Sequence, residues 1–181
     1  MSTDCIETCI LPCDDLPEVD FSLCAPQVNH GEVGDVYFTS EHHPLIDETD
    51  ANEWAYRLAL PVGDPSRIIR LMVIGDKPEA EIVEVDGAYN KNYYASKNHI
   101  VNIKVYQTSD TNYNMMRVLE KEKKGLGWYK TSSGVLYGGK GTPASIGFNQ
   151  VIPESSADLE YLNGWLRWKA PMHPCRTLSP I

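Results

Sequence analysis

The sequence predicts a mainly β protein, an antiparallel β-sandwich or barrel with one flanking α-helix at about residues 110–124. Three observations predict it. Apolar runs with a period of two recur from residue 33 to residue 171, turn-forming residues separate them, and a single segment changes to helical spacing. The 181 residues suit one domain, expected over 33–181, preceded by a Cys-rich arm over 1–32.

Pro12, Pro17 and Pro26, several acids and weak periodicity make the arm irregular, with two uses open to it: reaching a neighbouring subunit or packing on its own domain. VGDVYFTS (33–40) is a β-rich run. WAYRLAL (54–60) sets Trp54, Tyr56, Leu58 and Leu60 against Ala55, Arg57 and Ala59, which predicts a strand. RIIRLMVI (67–74) lies between the turn formers GDPS and GDKP, EAEIVEV (79–85) follows, and HIVNIKVYQT (99–108) alternates Val101, Ile103 and Val105 with Asn102 and Lys104. AYNKNYYASKN between them is predicted to be a polar, aromatic loop. SDTNYNMMRVLEKEKKG (109–125) supplies the helix: Ser109 or Asp110 caps it, Tyr113 and Met116 recur at helical spacing, and lysines crowd the end before Gly125. LGWYKTS (126–132), a turn at Ser133-Gly134 and VLYG (135–138) form a hairpin, after which GGKGTP is a loop leading into SIGFNQVIP (145–153). DLEYLNGWLRWKAP (158–171) alternates Leu162, Leu166 and Trp168 with Tyr161, Asn163 and Arg167, and MHPCRTLSPI is extended by its prolines. The total is eight to nine strands with one helix docked on the side of the sheet structure.

The same residues exclude several functions. GVLYGGKGTP resembles a phosphate-binding loop, but Gly141 stands where magnesium binding needs Ser or Thr, and no long helix follows. A net charge of -9 opposes a whole-surface grip on nucleic acid. No apolar window approaches a membrane span, and MSTDCIETC is too polar for a signal peptide, so a soluble product made in the cytoplasm is expected. Cys5, Cys9, Cys13 and Cys24 with His30 are a weak zinc ligand set, since their spacing lacks a C-x2-C pair; reduced thiols are expected instead. No histidine sits in a catalytic motif, which predicts a protein that is not an enzyme and has no cofactor, ahead of a hydrolase on a β scaffold. His42 and His43, in an acidic loop, and Tyr89, Tyr93 and Tyr94, beside Lys91 and Lys97, are interface candidates. The tyrosines also suit a carbohydrate-binding or capsid-decorating module.

From residue 67 onward the order of features is RIIRLMVIGDKPEAEIVEV, a strand running into a D-x-N-Y helix, GWYKTSSGVLYGGKG, and VIPES followed by LRWKAP. In this order the chain resembles tail tube proteins of tailed bacteriophages, in versions associated with phages of Bacteroidetes hosts. The resemblance covers about the last two thirds of the chain and leaves the arm outside. It implies a tail-tube-type β-sandwich that oligomerises into a ring, stacks into a conduit in the tail or at the neck, and contacts other tail or neck and portal proteins. Phage DNA would pass through the lumen without specific binding, no membrane would be involved, and the protein would reside in the virion tail after synthesis in the host cytoplasm. An acidic lumen repels DNA, so the charge of -9 is compatible with that role.

Overall fold

A computed structural model describes residues 31–86, 92–122, 124–155 and 157–181. The elements run β1 (Val33–Thr39), α1 (Ala51–Ala59), β2 (Ile69–Asp76), β3 (Glu81–Asp86), β4 (Asn92–Val105), α2 (Asp110–Glu122), β5 (Gly125–Thr131), β6 (Val135–Val151), β7 (Tyr161–Ala170) and β8 (Arg176–Leu178). Every strand pair is antiparallel. Six strands close into a barrel in the order β2, β1, β5, β6, β7, β4 and back to β2, while β3 pairs with β4 and β8 with β6 outside the closure.

Alternation at a period of two sends one side chain in each pair into the barrel. Val36 and Phe38 of β1, Leu71 and Val73 of β2, Val101, Ile103 and Val105 of β4, Ile146 and Phe148 of β6, and Leu162, Leu166 and Trp168 of β7 form its interior. The chain leaves β4 at Val105, returns at Gly125, and spends the interval in α2. There Met116 enters the interior cluster, with Met115 and Leu119 against it. The helix is where its spacing predicts, but it covers the barrel end at which β4 finishes and β5 begins and does not lie on the side.

Four other expectations need correction. Residues 54–60 are not a strand: Ala51–Ala59 is a second helix, because Asp50 accepts from the Asn52 amide at 2.8 Å as its N-cap and Pro61 holds Leu60 extended at ψ 148. Residues 92–98 are not a loop, since β4 begins at Asn92 and pairs with β3 from there. MHPCRTLSPI contains β8, which pairs with β6 through Val135 and Leu178.

The fourth correction concerns GGKGTP. It lies inside one strand of 17 residues, β6, and is no loop between strands. Gly127 pairs with Thr142 and Tyr129 with Tyr137, so Trp128 alone faces Gly138, Gly139, Lys140 and Gly141 as a large bulge. The bulge wraps the indole: Trp128 Nε1 donates to the Gly139 carbonyl at 2.7 Å. At Gly138, φ is 136° and an added Cβ would lie 2.5 Å from Trp128 Cδ1, so the position demands glycine twice over. Gly134 has φ 82° in the predicted hairpin turn, with open space around it.

This contrast sets an expectation for denaturant unfolding. Gly134→Ala loses about 1–2 kcal/mol for the left-handed backbone alone. Gly138→Ala adds a steric clash of about 1–3 kcal/mol and is the more destabilising of the two by chemical denaturation. Equal effects would mean that the bulge does not clasp Trp128.

Candidate interaction surfaces

The outer wall of the barrel has a covered and a bare part. On the covered part Tyr37, Leu126, Trp128 and Leu136 point outward and pack with Trp54 of α1, Leu45 and Ile68, forming a second core. Trp54 meets the Tyr37 and Trp128 rings edge-on, each at a centroid distance of 5.3 Å. Arg57 is 5% exposed and closes the loop before α1, donating to the carbonyls of His43 (2.5 Å), Pro44 (3.1 Å) and Ser66 (2.8 Å). His42 and His43 therefore sit on a surface turn fixed through a backbone carbonyl, with the His42 side chain exposed.

The bare part runs over β2, β4 and β7. Met72 and Ile74 of β2 are 66% and 54% exposed. Trp165 lies over Gly147, where a Cβ would come within 2.2 Å of its ring, and the Arg167 guanidinium stacks on the same ring at 4.8 Å. Lys104 stands 5.4 Å over Tyr161. At the margin, Asp35 is held by Arg70 Nε at 2.8 Å and Lys130 Nζ at 3.1 Å across three neighbouring strands. Burial raises the Asp35 carboxyl pKa, but hydrogen bonds and charge from Arg70 and Lys130 outweigh it and hold the group below the usual carboxylate value.

A hairpin projects from the barrel. β7 follows β4 only back to Lys97, so residues 92–96 of β4 have β3 as their one described partner. Tyr93 pairs with Val85 and Tyr94 with Glu84 in this hairpin. Tyr89 falls outside the described residues, as do Cys5, Cys9, Cys13, Cys24 and His30. The hairpin leaves the barrel beyond the Val33 end of β1, whereas His42 and His43 follow its Thr39 end, so the structure does not join these two sets of interface candidates.

At the hairpin end a third feature lies in the barrel wall. His99 pairs across from Trp168, is 1% exposed, and stacks on the Trp168 ring at 5.0 Å and 6°. Residues after β7 cross this end as a strap: His173 meets the His99 ring edge-on at 5.1 Å, Gly138 N donates to the Cys175 carbonyl at 3.0 Å, and β8 then pairs with β6. Burial lowers the His99 pKa, with Lys77, His173 and Lys97 adding to the fall and the Ala170 carbonyl opposing it. Burial, Lys77 and Lys97 likewise lower His173. Sequence spacing gives no sign of this cluster; only strand register assembles residues 77, 97, 99, 168 and 173.

Among the described residues no group of three or more His, Cys, Asp or Glu side chains has the arrangement to hold a metal ion, and no helix is long and apolar enough to cross a membrane. No family model and no curated protein matches the chain.

The lowered histidine pKa values give a direction for pH dependence. Both imidazoles are neutral in folded and unfolded chains well above about 6.5, the ordinary histidine value. As pH falls through that value the unfolded chain takes up protons first, so stability declines toward the lower folded pKa values. The urea midpoint is expected to drop between pH 7.5 and 5.5, and His99→Phe to flatten the drop. An unchanged slope in that variant would remove His99 as its source.

Proposed function

We propose that the chain is a virion structural protein of a tailed bacteriophage, assembling into a ring that stacks as part of the tail tube or neck conduit through which DNA passes. The observation that carries this reading is the pair of unpaired sheet edges. β3 pairs only with β4 and β8 only with β6, so each presents its other edge outward among the described residues. Exposed edges of this kind invite strand pairing with another chain. β3 is acidic, EIVEVD, and β8 carries Arg176, which gives a head-to-tail contact complementary charge. A head-to-tail contact repeated by rotation closes a ring.

The bare wall supplies contact area for the same assembly. Its Met72, Ile74 and Trp165–Arg167 stack have the composition of an interface centre, apolar and aromatic with arginine. The residues that carry the tail-tube resemblance, from 67 onward, fall on α2 and on β2 to β8, so every element except β1 and α1 takes part. The projecting β3–β4 hairpin is the element suited to reach an adjacent ring.

Native mass of the purified chain, with negative-stain imaging of the same sample, tests the reading: rings or tubes are expected. Ile82 is 57% exposed on β3, and Ile82→Lys should give monomers with unchanged far-ultraviolet circular dichroism. A native chain that stays monomeric at high concentration and binds glycans would replace the ring with a carbohydrate-binding module.

A further inference from the structure

The hairpin end of the barrel gathers the lysines and histidines of three separate segments. Leu71 and Val73 of β2 point inward, and the same parity continued past Asp76 reaches Lys77. On β4, Val101 and Ile103 point inward, and the parity continued backward reaches His99 and Lys97. The chain between the pairs Asp76–Asn102 and Glu81–Asn98 runs beside β4, so Lys77 starts a segment alongside Lys97 and His99. His173 joins them from the strap. The described groups that act on His99 by charge are Lys77 and Lys97, both cationic, and His173 once it is protonated. Among the described residues neither lysine forms a salt bridge.

Two polar atoms in the same place are unsatisfied. His99 Nε2 lies 3.3 Å from the Ala170 carbonyl, which only accepts, so Nε2 carries the proton and Nδ1 is a bare lone pair. Nδ1 is buried without a partner, as is the indole N–H of the stacked Trp168. Buried polar groups ordinarily find partners, and these two lie on side chains more than nine-tenths buried.

We propose that Lys77, Lys97, His99 and His173 form a binding site for a phosphate-type oxyanion at this end of the barrel. Two ammonium groups and an imidazole supply several diverging donors, which fit a tetrahedral oxyanion with several acceptor oxygens better than a planar carboxylate with two. Nδ1 of His99 accepts from a protonated phosphate oxygen or takes up a proton beside the bound anion, so occupancy and imidazole protonation are linked. Glu79 and Glu81 stand on an adjoining groove of about 550 Å³ whose wall includes His99, Asn98 and Trp168. Glu81 is engaged by the Asn98 amide at 3.4 Å, which leaves Glu79 as the internal carboxylate to test against an external anion.

The test observes the His99 and His173 ring protons by NMR in the full chain while inorganic phosphate replaces chloride at constant ionic strength. Saturable shifts are expected, with both histidine pKa values rising. Lys77→Gln combined with Lys97→Gln should weaken phosphate about tenfold, the size of two partly exposed charge contacts. A short oligodeoxynucleotide that displaces phosphate at the same resonances would assign the site to nucleic-acid phosphate; no displacement would assign it to the free ion. The proposal fails if phosphate and chloride act alike, or if the lysine variants respond as the native chain does, which would mean an adventitious ion only. It fails too if phosphate acts only after Glu79→Gln, because Glu79 would then be the cluster's own counterion. The native titration decides even if the lysine variants fold poorly.

Discussion

The barrel exists because β2 meets β4. Three residue pairs make that seam: Ile74 with Lys104, Gly75 with Ile103, and Asp76 with Asn102. A Cβ at Gly75 would lie 2.5 Å from the Asn102 carbonyl oxygen, so the strands approach this closely only at a residue without a side chain. Closure lets Leu71 and Val73 share one interior with Val101 and Ile103, and it hides the edges that β2 and β4 would otherwise expose. It also decides what is left over. Because β2 takes only residues 102–104 of β4, the remainder of that long strand is free to pair with β3 and project.

A second constraint lies opposite the seam, in the bulge of β6. Four residues facing Trp128 turn the strand around an indole and present their backbone groups outward. Leu45 N donates to the Lys140 carbonyl at 2.9 Å, and Gly138 N to the Cys175 carbonyl. The loop before α1 and the strap after β7 are thus anchored on the same irregularity. The glycines that suggest a phosphate loop in the sequence serve close backbone approach instead, which is the other common use of such residues.

These two constraints explain what the sequence made legible. Alternation reports which face of a strand is wet, so β2, β7 and residues 99–105 of β4 were readable, while β1 and β5, buried on both faces, showed as β-rich runs and β3 as a run between turn formers; α2 was readable with its lysine-rich end. Over the nine residues of α1 the two periods compete: Trp54, Tyr56 and Leu58 suit a strand, and Trp54, Arg57 and Leu58 suit a helix. Asp50, Glu53 and the Leu60–Pro61 step were the local signals that decide it. No local signal marks a bulge that keeps β6 continuous, because it depends on where Trp128 sits on the opposite strand. The histidine cluster was less legible still, its members being spread over almost a hundred residues and joined only through register.

An uneven exterior follows from where the chain spends its helices. α2 closes one end, α1 shields β1 and β5, and neither crosses β2, β4 or β7, so that wall keeps Met72, Ile74 and Trp165 toward the outside. A barrel that acted alone would gain from polar residues at those positions, since contiguous apolar surface promotes indiscriminate association. Among the described residues the outer edge of β3 has no strand partner, and the carboxylate of Glu81 stands beside its exposed Ile82. Charges of this kind on an edge strand oppose pairing with an identical edge and permit pairing with a basic one. Apolar side chains set among Lys104, Asn102 and Arg167 restrict which surface can cover that wall, and together with an acidic edge they suit the proposed head-to-tail contact better than a symmetric one.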